Sequence, residues 1–99
     1  MRLSQDQIRA IWHAAKRVVG DDVRVSLFGS RAQDALKGGD IDLYFETDRV
    51  LENRVKVVCQ LAGALTIALG DRKIDVLVKD ANTPMAPIFD IAQCTGVPL

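Results

Sequence analysis

Three short pieces of this chain carry residues that could do chemistry. Asp40 and Asp42 are separated by one residue, in "DIDLYFE". Asp75 stands in "KIDVLV", and the pair Gly29-Ser30 follows the apolar run "VRVSLF". In an extended chain, residues two apart point to the same side, so Asp40 and Asp42 share a face. Carboxylates gathered on one face repel and raise one another's pKa, and a divalent cation removes that penalty. A hard cation such as Mg²⁺ prefers carboxylate oxygen and binds through a few carboxylates together with substrate phosphates. A Gly-Ser turn between a strand and a helix points backbone N–H groups outward, where they attract phosphate oxygens. Gly29 allows close backbone approach and the Ser30 hydroxyl adds a donor. Together these residues describe a site for metal ions and a polyphosphate. Taken singly, each has an ordinary structural explanation: a strand-ending turn and the solvated face of a half-open sheet.

The elements that must position these residues follow from periodicity. Ser4 and Gln7 have capping-box spacing, with Leu3 and Ile8 placed as a hydrophobic staple. Ile8, Ile11, Trp12, Ala15, Val18 and Val19 then form one apolar stripe, and Gly20 stops the first helix. His13 falls on its polar side with Arg9, Lys16 and Arg17. Val23 to Phe28 alternates as a strand, and Arg31 to Leu36 reads as a short helix. Lys37-Gly38-Gly39 makes a turn before a second strand, Asp40 to Glu46. That strand sets Ile41, Leu43 and Phe45 against Asp40, Asp42, Tyr44 and Glu46. Val50 to Leu69 reads as a long helix closed by Gly70. Its half "LAGALTIAL" is apolar nearly all round, so Leu61, Ala64 and Ile67 face either the core or a partner. Lys73 to Val78 is a third strand, with Ile74, Val76 and Val78 on one face and Asp75 and Leu77 on the other. A last short helix spans Pro84 to Gln93, with Ile88, Ile91 and Ala92 inward and Gly96 past its end. If the three strands form one sheet with its apolar face under the helices, Asp75 joins the face of Asp40 and Asp42.

The bulk numbers narrow the function classes. The 99 residues of the chain are expected to form one domain, residues 1–99. Lys plus Arg and Asp plus Glu number 13 each, so net charge recruits neither a nucleic-acid backbone nor an anionic membrane. Cys59 and Cys94 lack metal-ligand spacing, and Cys59 reads as a buried core thiol. No signal peptide precedes the first helix and the longest apolar run is too short to span a bilayer, so a cytoplasmic location is expected. No GxxxxGK[ST] pattern is present, which disfavours a P-loop enzyme.

The combination Gly29-Ser30-Arg31-Ala32, Asp40-Ile41-Asp42-Leu43 and the later Asp75 resembles the nucleotidyltransferase superfamily that includes DNA polymerase beta. Size and element order are similar to its minimal nucleotidyltransferase (MNT) family, and the closing "PIFDIAQCTGVPL" is similar to that family's final helix and tail. The resemblance spans nearly the whole chain. The chain departs from the pattern in a slightly shorter spacer between Ser30 and Asp40, in Gln33-Asp34 where a glycine is usual, and in Gly39 where a serine is common. These changes bear on the phosphate loop rather than on the metal ligands.

The resemblance implies an α/β (α+β) nucleotidyltransferase fold, with a small mixed three-stranded sheet, helices mainly on one face and the order αβαβαβα. It implies an Mg²⁺-dependent enzyme with two metal ions and ATP as substrate. Asp40, Asp42 and Asp75 would be the catalytic metal ligands, with Asp75 also helping to deprotonate the attacking hydroxyl. Gly29, Ser30 and Arg31 would bind the nucleotide phosphates. Members of the family are often antitoxins paired with a HEPN-domain toxin, and some transfer AMP to a hydroxyl of that toxin. Such a partner is therefore expected, within a homo- or hetero-oligomer and without direct nucleic-acid contact. The alternative is an antitoxin that neutralises its partner by contact, with little or no catalysis.

Overall fold

The structure is a computed structural model that describes residues 4–27, 41–70, 74–84, 86–87 and 97–99. Helix α1 spans Gln5–Val18. Its start is fixed by a full capping box: the Gln7 N–H donates to Ser4 Oγ at 3.1 Å and the Ser4 N–H donates to Gln7 Oε1 at 2.8 Å. Ile11 and Ala15 are buried and His13 is exposed, as the apolar stripe predicts, and Ala14, outside that stripe, is buried as well. The helix ends where Gly20 takes φ +140°, a conformation open to glycine and strained for other residues.

Strands β1 (Arg24–Leu27), β2 (Ile41–Glu46), β3 (Ile74–Lys79) and β4 (Val97–Pro98) form one mixed sheet in the order β3-β2-β1-β4. β1 runs antiparallel to β2, and β2 runs parallel to β3. The parallel pair is joined through helix α2, Arg54–Leu69. The three expected strands are all present. The two-residue β4 is an addition: it pairs antiparallel with Ser26 and Leu27, and the Leu99 N–H donates to the Val25 carbonyl at 3.0 Å.

Both helices pack on one face of the sheet. Val25, Leu27, Ile41, Leu43, Phe45 and Val78 meet Ile11 and Ala15 of α1 and Leu61, Leu65 and Leu69 of α2 in one buried cluster. Burying a large aliphatic or aromatic side chain contributes about 1.5–3 kcal/mol, so these residues dominate what holds the layers together.

Two expectations about the long helix are corrected. It begins at Arg54, not Val50, because the Asn53 side chain caps it by accepting from the Lys56 N–H at 3.1 Å. The residues before the cap are held in another conformation by bonds to the end of β3. Cys59 is exposed, not a core thiol. A helix that is apolar all round does not announce which side it buries. Packing turns Leu61, Leu65 and Leu69 inward, which leaves Cys59 and Ile67 outside. Leu61 is therefore core and Ala64 packs against the core, whereas Ile67 faces outward.

Gly63 lies on this outward side, and a Cβ placed there meets nothing within 4 Å. Gly63→Ala is therefore expected to raise stability by about 0.5–1 kcal/mol by reducing the entropy lost on forming the helix, read as a higher Tm. The proposed helices at 31–36 and 84–93 lie wholly or mostly outside the described residues. So do the staple residue Leu3 and the thiol Cys94.

Candidate active-site face

The strand period of two separates two faces. On β2 the side chains of Ile41, Leu43 and Phe45 are fully buried under the helices, and Asp42, Tyr44 and Glu46 point the other way. On β3 the same alternation sends Ile74, Val76 and Val78 to the core and Asp75 and Leu77 to the opposite face.

Register then decides which of these residues meet. In the parallel β2–β3 pair, Asp42 is the direct Cα partner of Asp75. Adjacent strands lie about 4.8 Å apart, so the two carboxylates leave the sheet side by side. Asp42 is half-buried and Asp75 is exposed, so the pair opens to solvent on the side away from the helices. Like charges at directly neighbouring positions disfavour each other. A hard divalent cation beside them offsets that cost, and carboxylate oxygen is the donor it prefers. Asp42 and Asp75 thus fit two positions of an Mg²⁺ ligand set. Among the described residues no group of three such side chains converges. The third expected ligand, Asp40, lies outside the described residues, as do Gly29, Ser30 and Arg31.

Two further rows complete this face. Ser26, Tyr44 and Leu77 are register neighbours, followed by Arg24, Glu46 and Lys79. Tyr44 is only 3% exposed and packs with Leu77 and Ala86. The alternation alone places Tyr44 on a polar face. The structure covers it instead, because Ala86, beyond β3, packs on this side of the sheet.

The next row is charged and more open. The Arg24 guanidinium bridges Glu46 at 3.3 Å and Asp48 at 3.0 Å. The hydrogen bond between them holds the Asp48 carboxyl below its usual pKa and raises that of Arg24. These groups are largely exposed, so the network orients side chains more than it stabilises the fold. A cavity of about 320 Å³ lies at this end, lined by Trp12, Arg24, Ser26, Tyr44 and Glu46 among others. Neither Asp42 nor Asp75 lines it.

At the C-terminal ends of β2 and β3 a polar cluster ties the loops together. Asp80 is 4% exposed. Its carboxylate accepts from the Leu51 N–H at 2.8 Å, the Asn82 N–H at 3.1 Å and the Thr83 hydroxyl at 2.6 Å. The Thr83 hydroxyl in turn accepts from the Asp80 N–H at 3.1 Å. The Thr83 bond and the backbone donors hold the Asp80 carboxyl below its usual pKa. Thr47 is buried and donates to Asp22 at 2.8 Å, and Arg49 donates to the same carboxylate at 2.9 Å. The Arg49 guanidinium also reaches the Val19 carbonyl at the end of α1. No local pattern in the sequence marks this cluster, because its partners are distant in the chain. It is structural and stands at the far end of β2 and β3 from the aspartate pair.

No family model matches the chain, and no curated protein matches it. Chains of solved structures do match. One belongs to the crystal structure of a mutant of the toxin-antitoxin MntA-HpeT. It is 22% identical, with a TM-score of 0.63, over 98% of this chain and 71% of that one. The likeness establishes the fold alone, which among the described residues is a small α+β arrangement of two helices on a mixed sheet. Among the described residues, no helix is long and apolar enough to cross a membrane.

Proposed function

We propose that this chain is an Mg²⁺-dependent nucleotidyltransferase acting as the antitoxin of a toxin-antitoxin pair. In this reading it transfers AMP from ATP to a hydroxyl of its partner, a HEPN-domain toxin. The observation that carries the chemistry is the β2–β3 register, which sets Asp42 directly beside Asp75. The fold likeness to a chain of a toxin-antitoxin complex supports the biological setting.

The residues divide the work as follows. Asp42 and Asp75, with Asp40, would hold Mg²⁺, which would neutralise phosphate charge and favour in-line displacement at the α-phosphate. Gly29, Ser30 and Arg31 bind the triphosphate. The acceptor hydroxyl oxygen bonds to the α-phosphorus as the bond to the bridging oxygen breaks, and pyrophosphate leaves. Asp75, the more exposed carboxylate, takes the hydroxyl proton. Orientation and charge stabilisation supply most of the acceleration.

A melting experiment with ATP and Mg²⁺ tests the nucleotide site. Stabilisation is expected with both present and not with ATP alone. No Mg²⁺-dependent shift at millimolar ATP would move the reading to the second one, an antitoxin that silences its partner by contact. Ile67 gives that reading its own support, as a large aliphatic side chain that is 88% exposed on α2.

A further inference from the structure

The side of the helical layer away from the sheet is not featureless. Between α1 and α2 runs a groove with two cavities, of about 600 and 370 Å³, which share Arg17 and Ala64 in their linings. Its floor is made of four alanines: Ala10 and Ala14 from α1, and Ala64 and Ala68 from α2. Small residues on the floor let a third helix approach closely, within the usual range of about 8–10 Å between axes. An extended strand has nothing to pair with here, because the backbone groups along both helices are bonded within them.

The two rims differ in chemistry. The α1 rim carries Arg9, His13 and Arg17. Arg17 makes no ion pair among the described residues, and Arg9 has only the exposed Asp6 at 3.6 Å. The α2 rim is uncharged, with Gln60 and the outward Ile67. From Val57 to Leu69, α2 has no charged residue.

The geometry points to this groove as the docking site for an amphipathic helix of a partner protein, with an apolar stripe on the alanine floor and Ile67, and acidic residues along the edge facing Arg9, His13 and Arg17. The inference rests on the reading that the chain acts on a partner protein, and it names the surface and chemistry of that contact. Neither described helix of a second copy meets the requirement. Between them α1 and α2 contain one acidic residue, Asp6. Seating either helix in the groove would leave the basic rim largely uncompensated or set it against another.

The test uses the whole chain and two synthetic helical peptides. Both have a Leu/Ala stripe; one is flanked by Glu and the other by Lys. Binding is read by fluorescence anisotropy at low and high salt. The Glu peptide is expected to bind at least about tenfold more tightly than the Lys peptide, and less tightly as salt rises. Arg17→Glu and Ile67→Glu should each weaken it by about tenfold or more. Both side chains are exposed, so these variants keep the fold.

Equal binding of the two peptides, or no binding of either, overturns the proposal. So does self-association of the chain that Ile67→Glu abolishes, since the groove would then belong to a second copy. The same variants separate this inference from the nucleotide reading. Both should keep the Mg²⁺–ATP melting shift, whereas Asp42→Asn should lose that shift and still bind the Glu peptide. Failure of the peptide arm alone removes the groove. Failure of the melting arm alone removes the nucleotide site.

Discussion

Asp42→Asn is expected to reduce nucleotidyl transfer to background while the protein stays folded. Asn matches Asp in size and can still hydrogen-bond, so the β2 strand around Ile41 and Leu43 should be undisturbed. What it lacks is the charge that a hard cation requires. The clearest readout is ligand-linked stability. At 100 times its Kd, a nucleotide stabilises the folded state by about 2.7 kcal/mol. For a domain of this size that corresponds to a rise in Tm on the order of 10–20 °C. The wild type should show this rise with ATP and Mg²⁺, and the variant should not. Asp75→Asn should behave the same way, because its register makes it Asp42's direct neighbour. Transfer by Asp42→Asn at the wild-type rate would remove the assigned role. A loss of transfer with an unchanged Mg²⁺–ATP shift would place Asp42 in the chemical step but not in binding.

The second large effect lies away from the aspartate pair. Asp80→Ala should destabilise the protein by about 3 kcal/mol, because it strips three donors of their acceptor inside a buried cluster. The expected fall in Tm is on the order of 10–20 °C. Asp80→Asn should recover little of this. Both carboxylate oxygens accept, so an amide NH₂ would face a donor on one side. A circular-dichroism melt with less than a few degrees of change in either variant would show that the cluster does not hold the loops.

The same carboxylate predicts acid lability. Its folded pKa lies below the ordinary value, through the Thr83 bond and the backbone donors. Its stabilisation is therefore fully present above the unfolded pKa of about 3.9 and is lost as pH falls through the folded value. Urea melts from pH 6 downward should show the wild type converging on Asp80→Ala at the acid end. A constant gap between the two would exclude the titration.

Particular residues show how far local rules reach. The capping box at Ser4 and Gln7 and the stop at Gly20 were legible because their partners lie within one helical turn. The burial of Ile41, Leu43 and Phe45 was legible because a strand alternates. The start of α2 is not legible locally, because the chain before Asn53 is held by Lys79 and Asp80, which are distant in sequence. The exposure of Cys59 is not legible either, because an all-apolar helix contains no local record of its buried side. Alternation puts Tyr44 on the face opposite the core but does not reveal its burial, because Ala86, which packs on it, is distant in sequence.

By itself, the sequence determined α1, the three longer strands with their apolar faces, and the side of each strand on which Asp42 and Asp75 stand. Those follow from periods of two and 3.6 residues, which are local steric properties of the backbone. Only the tertiary structure decided that β2 and β3 run parallel in a register that pairs the two aspartates. Register depends on which apolar side chains interlock beneath the helices, and a slip of one residue would send Asp75 into the core. The groove between α1 and α2 is decided in the same way. Its alanines and arginines come from two helices far apart in the chain, and they become one surface only when both pack on the same sheet.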